Sequence, residues 1–159
     1  MQTYSTIVNT EKHTEKIACK IANLVSGGEI ILLEGDLGGG KTTFTKAFAK
    51  ALGVNDTVTS PTFVIKKNYL TKDNLHIEHL DLYRINQEEI IGDPTLFENL
   101  GQNNTIGVIE WGEKIQKSLD HYLLIKFTYL DKDKRKLELS AIGRKEIKIL
   151  SSICDDFNN

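Results

Sequence analysis

The sequence predicts an α/β fold with a mainly parallel central sheet flanked by helices and an antiparallel hairpin near the C-terminus. Two short, almost continuous apolar runs, EIILLEG and TIGVIEW, are typical of parallel strands that are buried on both faces. Segments with apolar residues every three or four positions precede and follow the first run, which indicates amphipathic helices beside it. Two strand-like segments flank the polar turn DKDKRK and predict the hairpin.

The size of the chain is that of one domain. It has 159 residues, of which 40% are apolar, enough for one compact core and hardly for two. We therefore expect a single domain over residues 1–159, with frayed ends at residues 1–5 and 155–159.

The N-terminal part is predicted to form a helix, a strand and a second helix. Apolar residues recur at three and four positions between residues 10 and 26, which predicts a helix with Asn9 or Thr10 as its cap. The EIILLEG strand follows and leads directly into a glycine-rich loop. The second helix ends at Gly53, where a left-handed residue is easily placed. Its apolar face is formed by Phe44, Ala47, Phe48 and Ala51.

The C-terminal part is predicted to contain five strands and a final helix. VTSPTFVIKKNYL reads as a loop broken at Pro61 and followed by a strand, and LHIEHLDLYRI reads as another strand. Between residues 86 and 101 the helical spacing is weak and is interrupted by Gly92 and Pro94, so we expect short helices or irregular structure. TIGVIEW, the hairpin segments HYLLIKFTYL and KLELSAIG, and a helix in RKEIKILSSICDDF complete the chain.

Composition disfavours direct nucleic-acid binding and membrane insertion. The formal net charge is −2, so the chain lacks the basic footprint that grips phosphate backbones. It contains no signal-peptide-like apolar run at its start and no run near the roughly 18 apolar residues of a membrane span. Cys19 and Cys154 are too few and too far apart for a disulfide framework or a CxxC metal site. We therefore expect reduced thiols and a cytoplasmic protein.

The segment Gly35–Thr42, GDLGGGKT, fits the phosphate-loop pattern G-x-x-x-x-G-K-T. Its position between a buried strand and a helix predicts the P-loop NTPase fold and a nucleotide site. Glycines at positions 38 to 40 let successive backbone N–H groups turn towards a β-phosphate without obstruction by side chains. Lys41 can reach β- and γ-phosphate oxygens, and the Thr42 hydroxyl can coordinate Mg²⁺ between them.

Missing signatures narrow the class of nucleotide-binding protein. The guanine-selecting tetrapeptide N-K-x-D does not occur, which disfavours GTP, and the L-S-G-G-Q signature of ABC ATPases is also absent. A small-molecule kinase usually closes an Arg-rich lid over the phosphates, whereas the arginines here are only Arg84, Arg135 and Arg144. A kinase is therefore an alternative, but a poorly equipped one.

Two carboxylates at strand ends are candidates for catalysis. Glu110 follows a run of apolar or small residues, so it is either a Walker B carboxylate that positions Mg²⁺ or a surface residue at a strand terminus. Asp81 can align the attacking water or form a structural salt bridge to Arg84. The TSPTF stretch at 59–63 can be a loop that senses the γ-phosphate or an ordinary turn into a strand.

Three ring-bearing residues lie near these motifs. Trp111, beside Glu110, can be a core aromatic, face a partner or stack near the nucleotide. His76 and His79 are three positions apart in a predicted strand, so they point to opposite faces and are not expected to form a metal pair.

The segments GDLGGGKTTF, SPTF, HLDLYR and IEW, in this order and at these distances, closely resemble the motifs of the TsaE (formerly YjeE) family. The resemblance runs from the EKHT segment to the hairpin. It implies a P-loop ATPase required for the threonylcarbamoyladenosine modification of adenosine 37 in tRNAs that read codons beginning with A. The implied cofactors are ATP and Mg²⁺, and the implied partners are TsaD and TsaB, which transfer the threonylcarbamoyl group. tRNA is then met only through those partners, and no membrane is involved.

The resemblance also implies roles for individual residues. Catalysis is assigned to Lys41, Asp81 and Glu110, with Asp81 near the water and Mg²⁺ on Thr42 and Glu110. The implied nucleotide contacts are Glu11, Asp36, Leu37, Gly38, Gly39, Gly40, Lys41, Thr42, Thr43 and Arg135. TSPTF and HLDLYR are implied to be switch-like loops. The chain departs from the family pattern at Gly112, where proline is usual, and follows it only loosely from 87 to 100.

Two other functions are compatible with the loop: a small-molecule kinase, and a nucleotide-gated binding module without meaningful turnover. Hydrolysis of ATP that changes rate when TsaD and TsaB are added would favour the ATPase. Transfer of phosphate to a metabolite would favour the kinase.

Overall fold

The structure is a computed structural model that describes residues 2–158, and the side chains of residues 2–155. Within these residues, seven strands form a single sheet. The strands are β1 (Gln2–Val8), β2 (Ile30–Gly35), β3 (Lys66–Leu70), β4 (His76–Asp81), β5 (Thr105–Glu110), β6 (Tyr122–Tyr129) and β7 (Arg135–Ile142). The helices are α1 (Glu11–Ala22), α2 (Lys41–Ala51), α3 (Gln87–Gly92) and α4 (Arg144–Asn158), with 3₁₀ turns at Pro94–Phe97, Gly112–Lys114 and Gln116–Ser118.

The sheet is parallel in its centre and antiparallel towards both edges. Its strand order is β1-β7-β6-β2-β5-β4-β3. Strand β2 pairs in parallel with both β5 and β6, and β4 pairs in parallel with β5. The hairpin β6–β7, the pair β1–β7 and the pair β3–β4 are antiparallel. The predicted α/β fold with a C-terminal hairpin is therefore confirmed.

Apolar cores lie on both faces of the sheet, because the central strands are buried on both sides. On one face, α1, α2 and α4 pack through residues that include Ile17, Ile21, Phe44, Phe48 and Leu150. On the other face, side chains of β2, β4 and β5 meet the segments that follow β4 and β5, including Ile85, Leu100 and Ile115. The near-continuous apolar runs in the sequence reflect this two-sided burial.

The predicted helix ends agree with the observed caps. The Thr10 side chain accepts a hydrogen bond from the backbone N–H of His13 at 3.3 Å, which caps α1. Gly53 follows α2 with φ of 76°, as expected for a left-handed residue after a helix. The weakly helical region between residues 86 and 101 forms α3 and one 3₁₀ turn, as predicted.

The start of the chain differs from the expectation of frayed ends. Residues 2–5 belong to β1, which pairs antiparallel with β7 from Gln2 opposite Ala141 to Val8 opposite Arg135. Strand β1 was not predicted because most of its side chains are exposed and only Val8 is buried. At the other end, α4 extends to Asn158, while residues 1 and 159 lie outside the described part.

Among residues 2–158, none of the helices combines the length and apolar character that crossing a membrane requires.

Candidate nucleotide site

The predicted site residues meet at one edge of the sheet. Because β2, β4 and β5 run parallel, their carboxyl ends lie side by side, and Asp81 is directly opposite Glu110 in the register. A cavity of about 410 Å³ opens at this edge. The predicted residues that line it are Glu11, Leu37, Gly38, Gly39, Gly40, Lys41, Thr42, Thr43, Asp81, Glu110 and Arg135. Asp36 does not line the cavity, but its carbonyl holds Lys41.

The backbone of the glycine loop adopts conformations that disfavour a side chain at its glycine positions. Gly35, at the end of β2, has φ of 140°, and a Cβ atom there would lie 2.5 Å from the carbonyl oxygen of Phe127. Gly40, just before α2, is left-handed with φ of 112°. The loop therefore turns from the strand into the helix, and residues 37–43, which include the start of α2, line the cavity. The first N–H groups of a helix have no partner within the helix, which makes this end suited to an anion.

Lys41 is folded back on this loop. Its Nζ donates to the carbonyl oxygens of Gly35 and Asp36 at 2.5 and 2.9 Å, and it lies 4.4 Å from the centre of the Trp111 ring. Burial lowers the pKa of Lys41 from its ordinary value, and the nearby charges of Glu110 and Asp81 oppose that shift. The ammonium group is thus held by backbone dipoles and a ring, which phosphate oxygens could replace.

Thr42 and Glu110 form the predicted metal-binding pair. The Thr42 hydroxyl lies 3.3 and 3.2 Å from the two carboxylate oxygens of Glu110, and Glu110 is buried. Hydroxyl and carboxylate oxygens are the hard donors that Mg²⁺ prefers, usually with water and phosphate oxygens as its other ligands. The two residues therefore fit a Mg²⁺ ion. In the described residues there is no cluster of three or more His, Cys, Asp or Glu side chains suited to a metal held by protein alone.

Asp81 is held by the TSPTF segment. Its Oδ2 accepts hydrogen bonds from the hydroxyls of Ser60 and Thr62 at 2.8 and 2.6 Å, and its Oδ1 accepts from the backbone N–H of Tyr83 at 2.9 Å. The guanidinium of Arg84 lies instead over the Phe63 ring, 4.4 Å from its centre. The hydrogen bonds of Asp81 thus join two segments at the cavity, and the salt bridge to Arg84 considered from the sequence is not formed between these described residues.

The hairpin and the start of α1 close the opposite side of the cavity. The Tyr129 hydroxyl donates to the carbonyl oxygen of Gly38 at 3.1 Å, and Arg135 donates to that hydroxyl at 3.1 Å. The Arg135 guanidinium also stacks 4.6 Å from the centre of the Tyr129 ring. Glu11 enters the wall from the first turn of α1. These contacts place residues from distant parts of the sequence beside the glycine loop.

Several cavity residues were not assigned to the site from the sequence. They are Thr10, Thr14, Ser60, Thr62, Tyr83 and Trp111. Thr14 had a detectable signal in the sequence, since it lies three and four positions before Ile17 and Ala18 and so falls on the apolar face of the predicted helix, where the structure buries it. For Ser60 and Thr62, a loop that senses the γ-phosphate and an ordinary turn fitted the sequence equally well, and Trp111 was left as a core aromatic, a partner-facing residue or a residue that stacks near the nucleotide. The structure decides that all three border the cavity.

The family of the chain follows from comparison with known proteins. The profile of the family described as threonylcarbamoyl adenosine biosynthesis protein TsaE matches residues 8–137. The chain belongs to the TsaE family. The matched range begins before α1 and ends in β7, so it includes every residue that lines the cavity, from Thr10 to Arg135.

Individual TsaE relatives agree with this assignment. The tRNA threonylcarbamoyladenosine biosynthesis protein TsaE of Bacillus subtilis is 38% identical over 140 residues, covering 87% of this chain and 85% of that protein. Its counterpart of the same name in Aquifex aeolicus is 39% identical, covering 84% and 92%. The crystal structure of Bacillus subtilis YdiB superimposes with a TM-score of 0.79 at 28% identity, covering 99% of this chain and 97% of that one.

Proposed function

We propose that this chain is an Mg²⁺-dependent ATPase that supports the threonylcarbamoyladenosine modification of adenosine 37 in tRNAs reading codons that begin with A. The observation that carries the proposal is the cavity in which the phosphate loop meets Asp81 and Glu110, in a chain of the TsaE family. A phosphate loop alone indicates binding. Two buried carboxylates at the adjacent strand ends add what hydrolysis requires.

Binding of the triphosphate is assigned to the loop and α2. The backbone N–H groups of residues 36–43 surround the phosphates, and the N-terminal end of α2 favours negative charge. Lys41 leaves the carbonyl oxygens of Gly35 and Asp36 and donates to phosphate oxygens, which offer full negative charges in place of partial ones. Glu11 and Arg135 border the nucleotide on the other side of the cavity.

Hydrolysis is assigned to the two strand-end carboxylates. Thr42 and Glu110 would hold Mg²⁺, which supplies charge neutralisation at the phosphate oxygens. Asp81 accepts a proton or hydrogen bond from the attacking water, because its carboxylate is fixed by Ser60, Thr62 and the Tyr83 backbone at the cavity wall. When the γ-phosphate leaves, the TSPTF segment loses a neighbour and can change its position, which makes it a switch.

The partners are proposed to be TsaD and TsaB, with tRNA contacted only through them. The formal net charge of −2 fits a protein that does not bind tRNA directly and relies on its partner proteins to bind it. Nucleotide hydrolysis resets the transferase between turnovers and does not itself transfer the threonylcarbamoyl group. The free cysteines Cys19 and Cys154 are in keeping with a reducing cytoplasm, where we place the protein.

Lys41→Ala tests the proposal directly. Removing the ammonium group deletes charge-assisted hydrogen bonds to phosphate, so ATP affinity should fall about 10- to 100-fold. Equilibrium binding of a fluorescent ATP analogue measures this loss, with the exposed Lys46→Ala on the same helix as the matched control. Equal ATP affinity in Lys41→Ala and the native chain would contradict the assignment.

A reconstituted reaction separates the ATPase from the other two functions. With TsaD, TsaB, tRNA and the threonylcarbamoyl donor, the native chain and ATP should increase the number of modification turnovers, whereas Glu110→Ala should not. Phosphate recovered on a metabolite instead of in solution would favour a kinase. Normal modification by Glu110→Ala together with failure of Lys41→Ala would favour a binding module without turnover.

A further inference from the structure

His79 is a buried histidine that the proposed mechanism does not yet use. It lies in β4, two residues before Asp81, and its side chain is fully buried. Its Nε2 atom is 2.9 Å from Oε1 of Glu110. Its other ring nitrogen, Nδ1, is buried and has no hydrogen-bond partner among the described residues.

The sheet register explains why this contact forms. In the parallel pair of β4 and β5, His79 lies opposite Val108 and Asp81 lies opposite Glu110. Side chains two positions apart share a face, so His79, Asp81 and Glu110 all point to the face covered by α1 and α2. The imidazole therefore lies deeper along the sheet than the carboxylate and approaches it from the core side, away from the cavity.

The hydrogen-bond partners of the His79 ring indicate which of its two nitrogens carries the proton. With the proton on Nε2, the ring donates to the Glu110 carboxylate and leaves only an acceptor unpaired at Nδ1. With the proton on Nδ1, a buried donor would have no acceptor, and the Nε2 lone pair would face a carboxylate oxygen. The arrangement therefore requires the Nε2–H tautomer, as in histidines whose orientation is fixed by one carboxylate partner.

We propose that His79 is a positioning residue that orients the Glu110 carboxylate for Mg²⁺. The inference rests on the proposed function, because it assigns Glu110 to the metal. His79 donates to Oε1 from the core side while Thr42 lies beside both oxygens from the cavity side, so the carboxyl plane is held from two directions. Outer partners of this kind fix the ligand and typically change metal affinity about 10- to 100-fold when they are removed.

A purely structural role would not favour histidine at this position. The neighbouring residues on the same face of β3, β4 and β5 include Tyr69, Ile77 and Val108, which are buried and mostly apolar. A leucine would fill such a position without leaving a buried nitrogen unpaired. The histidine is therefore explained by the carboxylate that it contacts.

The first experiment compares variants by the Mg²⁺ concentration that gives half-maximal tightening of fluorescent ATP binding. His79→Leu removes the donor and should raise that concentration about 10- to 100-fold, while His79→Gln carries an amide N–H to nearly the same point and should stay within about 3-fold of the native value. Affinity for the nucleotide without Mg²⁺ should be unchanged in both variants. His76→Leu, an exposed histidine on the same strand, is the matched control.

The second experiment needs no substitution. Nitrogen-15 labelling of the histidines and long-range proton–nitrogen correlation spectra at one fixed pH report which ring nitrogen of His79 carries the proton. The expected result is a proton on Nε2. A proton on Nδ1 would overturn the proposal, even if His79→Leu did not fold.

The outcomes separate this inference from the proposed function. Unchanged Mg²⁺ dependence in a folded His79→Leu protein would overturn the role of His79 alone, with ATP binding by the native chain intact. An equal loss of nucleotide affinity with and without Mg²⁺ in His79→Leu, with no recovery in His79→Gln, would show a structural role. That result would also overturn the positioning role of His79. Failure of the native chain to bind ATP with Mg²⁺ would overturn both.

Discussion

Lys41, Asp81 and Glu110 are charged residues with side chains that are almost completely buried at the edge of the sheet. Each is held by particular partners: backbone carbonyls for Lys41, two hydroxyls and an N–H for Asp81, and Thr42 with His79 for Glu110. Buried charges are costly unless they are paired or hydrogen-bonded in this way. Their grouping at one cavity is the reason that this edge of the sheet is the candidate ligand site.

Asp81→Asn should separate hydrolysis from binding. The amide keeps the shape of the side chain but loses the negative charge that accepts a proton from water, so the hydrolysis rate should fall at least about 100-fold. ATP affinity should change less than about 3-fold, because the phosphate contacts lie on the loop. Phosphate release and nucleotide binding measure the two quantities, with the exposed Asp73→Asn as control. Hydrolysis at the native rate in Asp81→Asn would remove Asp81 from the mechanism.

Glu146, in the first turn of α4, gives a pH prediction away from the site. Burial raises the pKa of this carboxyl above its ordinary value of 4.5, although hydrogen bonds from the backbone and the electrostatic attraction of nearby His121 oppose that shift. The folded protein then holds more protons than the unfolded chain between the two pKa values. The free energy of unfolding therefore falls as pH rises through that window and does not recover above it.

Glu146→Gln removes the destabilisation that comes from ionising a buried carboxyl, so it should raise the melting temperature at pH 7 to 8. The difference should shrink as the pH is lowered towards 4.5, where the native carboxyl is protonated as well. Thermal unfolding over this pH range measures the effect, and the exposed Glu15→Gln serves as control. A gain that grows on acidification would contradict the expected sign.

At the level of elements, the junctions between strands and loops build the site. Strand β2 places Gly35 where its backbone contacts Phe127 of β6, and α2 begins six residues later at Lys41, after its N-cap Gly40. The β6–β7 hairpin returns Tyr129 to the carbonyl of Gly38. The loop is thus supported from both sides by regular structure, which suits a site that must hold its shape without ligand.

Gly35→Ala tests this junction. Its φ of 140° and the 2.5 Å approach to the Phe127 carbonyl leave no space for a Cβ atom, so strain alone should cost about 1–3 kcal/mol. Each kcal/mol corresponds to roughly 2–4 °C in a chain of this size. Gly92→Ala is the matched control, because nothing lies within 4 Å of the added atom at the end of α3. We expect Gly92→Ala to be neutral or slightly stabilising; equal melting of both variants would contradict the prediction.

At the scale of the whole molecule, the cavity gathers six separate stretches of the described chain. They are the start of α1, the loop with α2, the TSPTF segment, the end of β4, the end of β5, and the hairpin. A ligand that contacts all of them binds the folded state only, so it stabilises the fold by mass action. Global stability therefore reports on occupancy of the site.

ATP with Mg²⁺ should raise the melting temperature of the native chain. At about 100 times the dissociation constant the gain is about 2.7 kcal/mol, or roughly 5–10 °C. Lys41→Ala at the same concentrations should gain only about 0.4–1.4 kcal/mol, because a 10- to 100-fold lower affinity leaves the ligand at about 1–10 times its dissociation constant. Thermal unfolding with and without ligand measures this, and an equal shift in both proteins would indicate that the nucleotide binds elsewhere.

Local patterns in the sequence were sufficient for the strand–loop–helix around Lys41, the hairpin and the caps of α1 and α2. They failed for β1, because an exposed edge strand has few apolar side chains and is defined by its pairing with β7. The local patterns also did not decide whether Asp81 aligns the attacking water or forms a structural salt bridge, since Arg84, three residues away, is the simplest local partner for its carboxylate. Only the fold brings Ser60 and Thr62 to the Asp81 carboxylate.

The sequence by itself predicted a phosphate-binding loop, because such a loop depends on backbone conformations that its own glycines allow. The tertiary structure decided that Asp81 and Glu110 lie side by side at the cavity that the loop also lines. The contacts of Thr42 and His79 with Glu110 join positions 68 and 31 residues apart. The register of β4 and β5 sets the second contact, and the pairing of β2 with β5 brings the start of α2 near Glu110 for the first. Such contacts depend on pairing between distant segments, and a local pattern of residues carries no information about that pairing.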